Sequence, residues 1–283
     1  MKAKAYAKVN LNLIVTSKRK DGKHNLESVF HKIDLFDDIE IIVNNTDKCV
    51  IKCNKKELEK ENLIYKAFDY IKTEYPQVGG VDVNLVKRIP MQAGLGGGSS
   101  DCSTFIKMIN ELFNLKMSKR KMHDIAFELG ADVVPCLYDY PVKATGVGHL
   151  VKKIDSKLEF YLVLVKPSIN CHTGEMFNKL DSIKINNKCM LKQTTRNIIK
   201  SLENNDLVLL SNNLYNSFEE VVDEGILDIK KELIETGAIN SLLTGSGSCV
   251  FGIFGNEKEA LKCFEKLKNK YETYICKSIN NDS

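Results

Sequence analysis

Between Lys87 and Ser100 the chain reads Lys-Arg-Ile-Pro-Met-Gln-Ala-Gly-Leu-Gly-Gly-Gly-Ser-Ser. Its glycines let backbone approach a bulky anion and take positive φ. Ser99 and Ser100 add hydroxyls, and Lys87 and Arg88 bring two positive charges into the loop. A helix starting here would face the anion with its unpaired N–H groups and positive dipole end. The chemistry in view is phosphate binding; the alternative is a turn that only permits tight packing. The run is not a Walker A loop, because no Lys follows the glycines. It is not the dinucleotide fingerprint either, since Ser99 stands where the last glycine belongs. The H-R-D and D-F-G signatures of protein kinases are absent.

Two further groups could do chemistry. Asp132 lies in Leu-Gly-Ala-Asp-Val-Val-Pro, a lone carboxylate amid apolar residues. It is either a turn or cap residue or a general base, and a base needs a cation to keep it ionised. Lys8 is the candidate cation. Along residues 5–15, Ala5, Ala7, Val9, Leu11, Leu13 and Val15 alternate with Lys8, Asn10 and Asn12, so these polar side chains share one strand face. That face is either solvent-facing or lines a cleft. A second glycine cluster, Leu243-Thr244-Gly245-Ser246-Gly247-Ser248-Cys249, fits a hairpin turn between apolar strands.

The elements that must position these residues follow from periodicity. Alternation predicts strands at 5–15, 29–35, 39–43 and 81–86, with a turn at Asp21-Gly22. Helical spacing predicts helices around 64–71, 100–114 and 118–129, the last capped by Ser118 and stopped by Gly130. A second block opens near residue 157, with a strand at 160–165 and a polar stretch at 181–197 that reads as surface loop or fraying helix. Helices are expected at 205–222, 226–236 and 257–271, a strand–turn–strand at 242–254 and a last strand at 273–278. The mixture gives an α+β fold in two parts, 1–155 and 156–283, facing a shared cleft.

Composition narrows the class. The chain has 283 residues, 43% of them hydrophobic, and a formal net charge of +4, too small and too dispersed to suggest a nucleic-acid surface. Nine cysteines without a C-x-x-C and without a secretory leader read as reduced thiols. The five histidines lack zinc-ligand spacing, so no metal-ligating residues are assigned. No apolar run reaches the ~20 residues of a membrane span. A soluble, cytoplasmic protein is expected; oligomeric state is not legible.

Ala7-Lys8-Val9-Asn10-Leu11, Asp21-Gly22-Lys23-His24, Pro90–Ser100, Gly130-Ala131-Asp132 and Leu243–Gly247 occur in the order of the GHMP kinase motifs, and the chain resembles that family along nearly its whole length. The first two segments resemble the branch whose substrate is a cytidine-diphosphate-linked alcohol of non-mevalonate isoprenoid (terpenoid) biosynthesis. Homoserine or mevalonate-type kinases, or a non-catalytic binding protein of the same fold, are the alternatives.

The resemblance implies ATP and Mg²⁺, an N-terminal ATP-loop domain and a C-terminal ferredoxin-like domain. It assigns Asp132 and Lys8 to catalysis. Pro90, Met91, Gln92, Ala93, Gly94, Leu95, Gly96, Gly97, Gly98, Ser99 and Ser100 go to the nucleotide. Asn10, His24, Thr173, Phe177, Gly245 and Gly247 go to the substrate. Three departures stand out: Lys23 replaces an aromatic expected to stack on cytosine, Pro135 is displaced by one position, and His149 follows Gly146-Val147-Gly148 where Glu is common. Asp101, expected in the first turn of the loop helix, either points away from phosphate or shares Mg²⁺.

Overall fold

The computed structural model describes residues 1–183 and 188–280. In chain order it contains β1 (Lys2–Lys18), β2 (His24–Val43), β3 (Cys49–Cys53), α1 (Leu63–Glu74), β4 (Val81–Val86), α2 (Gly97–Leu112), α3 (Lys119–Leu129) and α4 (Val133–Cys136). There follow β5 (Val142–Gly146), β6 (Leu150–Lys153), β7 (Tyr161–Lys166), α5 (Thr173–Asp181), α6 (Lys188–Asn204), α7 (Leu207–Ser211) and β8 (Tyr215–Asn216). The chain closes with α8 (Glu224–Glu235), β9 (Asn240–Leu243), β10 (Val250–Phe254), α9 (Glu257–Leu267) and β11 (Glu272–Lys277).

These elements form two compact units, to which β1 and β2 both contribute. The first comprises Met1–Ala7, Leu35–Pro90 and Gly96–Tyr138. Here β4 pairs antiparallel with β2, Ile39 opposite Leu85 and Ile41 opposite Val83, and parallel with β3. The period-2 pattern sends Ile39, Ile41, Val81, Val83, Leu85 and Ile51 inward, where they are at most 3% exposed. The apolar faces of α1 (Ile64, Phe68, Ile71) and α2 (Phe105, Ile106, Ile109) are buried too. Asn62 caps α1 and Ser118 caps α3, each side-chain oxygen accepting a first-turn N–H.

The second unit comprises Lys8–Asp34, Met91–Leu95 and Asp139–Ser283. A four-stranded antiparallel sheet runs β11-β7-β10-β9. With helices between β7 and β9 and between β10 and β11, that order is the ferredoxin-like arrangement expected from the resemblance. Leu233 of α8 and Cys263 and Leu267 of α9 pack with Val163, Val165, Val250 and Phe254 of the sheet. In the same unit β5 pairs with β2 and β6, and β8 pairs parallel with Asn12–Leu13 of β1.

Several expectations change. The strands read at 29–35 and 39–43 are one strand, β2. The helix expected over 205–222 is cut short: α7 ends at Ser211, and Asn216 starts a 3₁₀ turn by accepting the N–H of Phe218 while its amide donates to the carbonyls of Leu243 and Gly245. Asn213 Nδ2 donates to the Leu209 carbonyl, and a side chain that competes for backbone in this way ends a helix that apolar spacing alone would continue. Of the stretch 181–197, residues 184–187 lie outside the described residues, while 188 onward belongs to α6. Among the described residues no helix is long and apolar enough to cross a membrane.

Candidate active site

The polar face of β1 is not solvent-facing. Lys8, Asn10 and Asn12 are 4%, 1% and 0% exposed, so the strand is buried on both sides. An ammonium and two amides survive there because each finds partners. Lys8 Nζ donates to Asn10 Oδ1 at 2.6 Å and to the Gly94 carbonyl at 2.7 Å, and lies 5.1 Å from the Phe30 ring centroid. Asn10 Oδ1 also accepts the N–H of Gly245 at 3.0 Å, and Asn10 Nδ2 donates to Ser28 Oγ at 2.8 Å. The N–H of Asn10 donates to Thr244 Oγ1.

Three separate sequence motifs thus meet in the second unit: the β1 face, the middle of the first glycine loop and the second glycine cluster. Gly94 and Gly245 hold the junction at φ +73° and +58°. A Cβ on Gly94 would fall 2.0 Å from the Thr244 carbonyl oxygen, so no other residue fits without displacing backbone. The N–H of Lys8 donates to the Leu95 carbonyl and the N–H of Cys249 to the Ala93 carbonyl, closing the loop onto both partners. Met91 and Gln92 are exposed, Gln92 with φ +53°. The second cluster is the hairpin turn its sequence suggested, between β9 and β10, and also borders Lys8 and Asn10.

His24, Phe177 and Thr173 belong to the same unit. His24 stacks on Phe177, centroids 4.4 Å apart at 13°, and Phe177 sets its edge on Phe218. His24 Nε2 lies 2.7 Å from Asp181 Oδ1, and Lys18 Nζ 2.6 Å from Asp181 Oδ2. The Lys18 and His24 hydrogen bonds hold the Asp181 carboxyl below its ordinary range. An ionised Asp181 accepts from Nε2–H and so fixes the orientation of the ring. Thr173 opens α5 and shares a hydrogen bond with Ser246 at 2.8 Å. Lys23 is exposed in the turn, while Phe177 supplies the aromatic surface beside His24. Gly247 (φ +94°) abuts Cys171, and His149 sits at the β5–β6 turn against Gly146.

The first unit carries the remaining expected residues. Pro90 ends the approach to the loop, and Gly96 (φ +68°) stands at the N-cap of α2. The first intrahelical bond runs from Ser100 N–H to the Gly96 carbonyl, so the N–H groups of Gly97, Gly98 and Ser99 have no partner within the helix. Ser100 is buried, its hydroxyl donating to the Tyr6 carbonyl at 2.7 Å, whereas Ser99 is half-buried. Lys87 does not enter the loop as a free charge: its side chain is 4% exposed and paired with Asp37 and Asp101. Arg88 is half-exposed and paired with Asp38. Asp101, the fifth residue of α2, is bonded to Lys87 rather than placed in the first turn toward phosphate.

Asp132 is exposed at the N-cap of α4, with no hydrogen bond from its side chain to the cap. Pro135, the displaced proline, falls in the first turn of α4, where its missing N–H has no intrahelical acceptor to lose. Asp37 and Asp181 were not singled out from sequence. An acid inside the apolar alternation of β2 was a signal for Asp37; Asp181 on a polar helix gave none.

Residues 62–140 match the family model "GHMP kinases N terminal domain", and residues 198–273 match "GHMP kinases C terminal". The chain is 38% identical to a Clostridium novyi protein named 4-diphosphocytidyl-2-C-methyl-D-erythritol kinase, over 98% of this chain and 99% of the relative. It is 37% identical to the Clostridium tetani protein of the same name, over 99% and 100%. A crystal structure of 4-(cytidine 5'-diphospho)-2C-methyl-D-erythritol kinase superposes with a TM-score of 0.84 at 25% identity, covering 99% of this chain and all of that one. Homoserine kinase from Cytophaga hutchinsonii shares the fold, with a TM-score of 0.80 at 19% identity, covering 100% and 95%. With both domain models in order and that identity across almost its entire length, the chain belongs to the GHMP kinases and, within them, to the family of 4-diphosphocytidyl-2-C-methyl-D-erythritol kinases.

Proposed function

We propose that the chain transfers the γ-phosphoryl group of ATP to the 2-hydroxyl of 4-diphosphocytidyl-2-C-methyl-D-erythritol, giving the 2-phosphate and ADP in isoprenoid biosynthesis. The observation that carries the reading is the hydrogen-bonded group of Lys8, Asn10, Gly94, Thr244 and Gly245, which joins three motifs of the family around one ammonium.

The nucleotide phosphates lie against the N–H groups of Gly97, Gly98 and Ser99, with the α2 dipole behind them. Among the described residues no three His, Cys, Asp or Glu side chains are grouped to hold a metal. An ion brought in by the nucleotide would take the Ser99 hydroxyl, on the half-buried residue of the first turn of α2, as its ligand from this chain. Mg²⁺ bound with the nucleotide would neutralise charge on the transferring phosphoryl group. Asp132 takes the proton of the attacking hydroxyl, and Lys8, fixed by Asn10 and the Gly94 carbonyl, stabilises the transferring phosphoryl group. Asn10 acts here chiefly by holding Lys8 and Gly245. His24, Phe177 and Thr173 receive the cytidine end, Phe177 offering the stacking face that Lys23 does not. The domain division that goes with this reading is 1–155 as the N-terminal domain, with the ATP loop and the catalytic Lys8 and Asp132, and 156–283 as the C-terminal domain.

The test is transfer of label from [γ-³²P]ATP with Mg²⁺ to 4-diphosphocytidyl-2-C-methyl-D-erythritol, homoserine and mevalonate in parallel. Label in the cytidyl product alone is expected; label in another alcohol overturns the substrate, and no transfer overturns the activity. Asp132→Asn should lose about 10²–10⁴-fold in kcat with nucleotide affinity kept. A variant within a few-fold of wild type removes Asp132 from the role of base.

A further inference from the structure

Three charged side chains are sealed inside the first unit where the chain enters the glycine loop. Asp37 of β2, Lys87 just after β4 and Asp101 of α2 have side chains 0%, 4% and 2% exposed. Asp37 Oδ2 accepts from Lys87 Nζ, while its Oδ1 accepts the N–H groups of Arg88 at 2.5 Å and Ile89 at 2.8 Å. Lys87 Nζ also donates to Asp101 Oδ2 at 2.6 Å. Asn54 grips the Lys87 backbone from both sides, accepting its N–H and donating to its carbonyl. The first residue of α2 rests on this group: a Cβ on Gly97 would lie 3.2 Å from Lys87 Nζ and 3.1 Å from Ile89 Cγ2.

A buried charge group of this kind is a poor stabiliser, because desolvation offsets most of the attraction and apolar residues of similar volume often do as well. What it supplies is geometry. Carboxylate and ammonium lock only at hydrogen-bond distance and angle, whereas apolar side chains slide. Here the lock joins three elements: Asp37 fixes the path of residues 87–89, and Lys87 ties that path to the second turn of α2. The ammonium, buried and bonded to both Asp37 and Asp101, is not available to a phosphate.

We propose that Asp37, Lys87 and Asp101 are positioning residues for phosphoryl transfer, setting the loop entry against the start of α2 so that the N–H groups of Gly97–Ser99 are aimed at the nucleotide phosphates. This rests on the nucleotide reading given above. A misplacement of about 1 Å can cost up to about 10²-fold in rate, so the lock is felt at the nucleotide rather than at the alcohol.

The test measures equilibrium binding of the Mg²⁺ complex of a non-hydrolysable ATP analogue, with steady-state KM values for ATP and alcohol, in Asp101→Leu and Asp101→Asn. Asp101→Leu removes the tie to Lys87 and should weaken analogue binding and raise KM for ATP about tenfold, with KM for the alcohol within about twofold. Asp101→Asn keeps an oxygen for Lys87 and should restore both to near wild type. Asp37→Asn, which retains an acceptor for the Arg88 and Ile89 N–H groups, provides a second folded variant with a smaller loss of the same kind. Unchanged analogue affinity in Asp101→Leu and Asp37→Asn, whatever their melting temperatures, overturns the positioning role. Wild type that binds the analogue but phosphorylates no alcohol overturns the kinase reading and leaves the positioning result standing.

Discussion

Replacing Asn10 with Ala tests the centre of the site. Its Oδ1 accepts from the Lys8 ammonium and the Gly245 N–H, and its Nδ2 donates to Ser28 Oγ. The three losses differ in kind. Lys8 keeps the Gly94 carbonyl but forfeits a charged hydrogen bond, about 1.5–3 kcal/mol. Gly245 is buried, and its N–H loses this acceptor, about 1–3 kcal/mol. Ser28 retains its bond to the Asn12 carbonyl and gives up only a neutral partner, about 1 kcal/mol. Because the groups are coupled, the total should be about 3–5 kcal/mol rather than the simple sum of maxima. At about 2–4 °C per kcal/mol for a chain of this size, Tm should fall by about 10 °C.

Asn10→Asp should cost less. It keeps an oxygen for Lys8 and Gly245 and adds an ion pair, but sets an oxygen against Ser28 Oγ, whose hydrogen is committed to Asn12. Thermal melts and urea midpoints check the order Ala below Asp below wild type. With Lys8 held by fewer partners, kcat should fall in Asn10→Ala even at temperatures where it is fully folded. A Tm within about 2 °C of wild type, or a folded Ala variant with unchanged kcat, refutes the argument that Asn10 holds Lys8 and Gly245 in place.

Other substitutions separate packing from binding. Gly94→Ala should abolish soluble folded protein or cut Tm sharply, since its Cβ meets the Thr244 carbonyl at positive φ; Gly98→Ala, with nothing within 4 Å, should melt at or above wild type yet raise KM for ATP. Equal melting of the two variants sinks the packing argument. Asp181→Ala frees Nε2 of His24 and should raise KM for the cytidyl substrate about tenfold, one hydrogen bond's worth, leaving KM for ATP unchanged; equal effects on both would place Asp181 outside cytidine recognition. Burial pushes His31 down to about 4, so the unfolded chain takes a proton near 6.5 that the folded chain refuses. Stability from this group therefore falls as pH drops from 6.5 to 4. Asp101 runs the other way: burial raises it to about 7, so the folded chain keeps a proton the unfolded one loses above 3.8, and this contribution falls as pH rises through that window. His31→Gln should flatten the acid limb and Asp101→Asn the limb toward neutrality, read as urea midpoints from pH 4 to 8. Parallel curves for variant and wild type refute the assignments.

Much of this was legible in the residues because local rules and tertiary structure agree. β4, α2 and α3 stand where alternation, helical spacing and the Ser118 cap put them. The Lys8–Asn10 face, both glycine clusters and His24 were visible as motifs. Their grouping was not, since nothing in residues 7–11 or 91–95 says that Thr244 will close over them. Lys87 misled for a related reason: a lysine beside a glycine loop reads as a phosphate contact, and only the remote Asp37 reveals it as a buried strut. The short strands β5 and β6 carried too few alternations to register, and the helix read through 205–222 failed where Asn216 reached across to the β9 turn.

The hydrogen bond from Thr244 to Gly94 spans 150 positions of sequence. Residues 91–95 therefore take their final shape only against a turn made from the last sixth of the chain. A growing polypeptide can pair β4 with β2 and wind α2 long before that, but the segment between them stays without its template until the β9–β10 hairpin has emerged. Closing such a loop is slow compared with local helix formation. Nucleotide-binding competence should thus appear late in synthesis and abruptly, and a truncated product ending before residue 244 should fold its first unit without holding ATP. The fold delays its chemistry until translation is nearly complete.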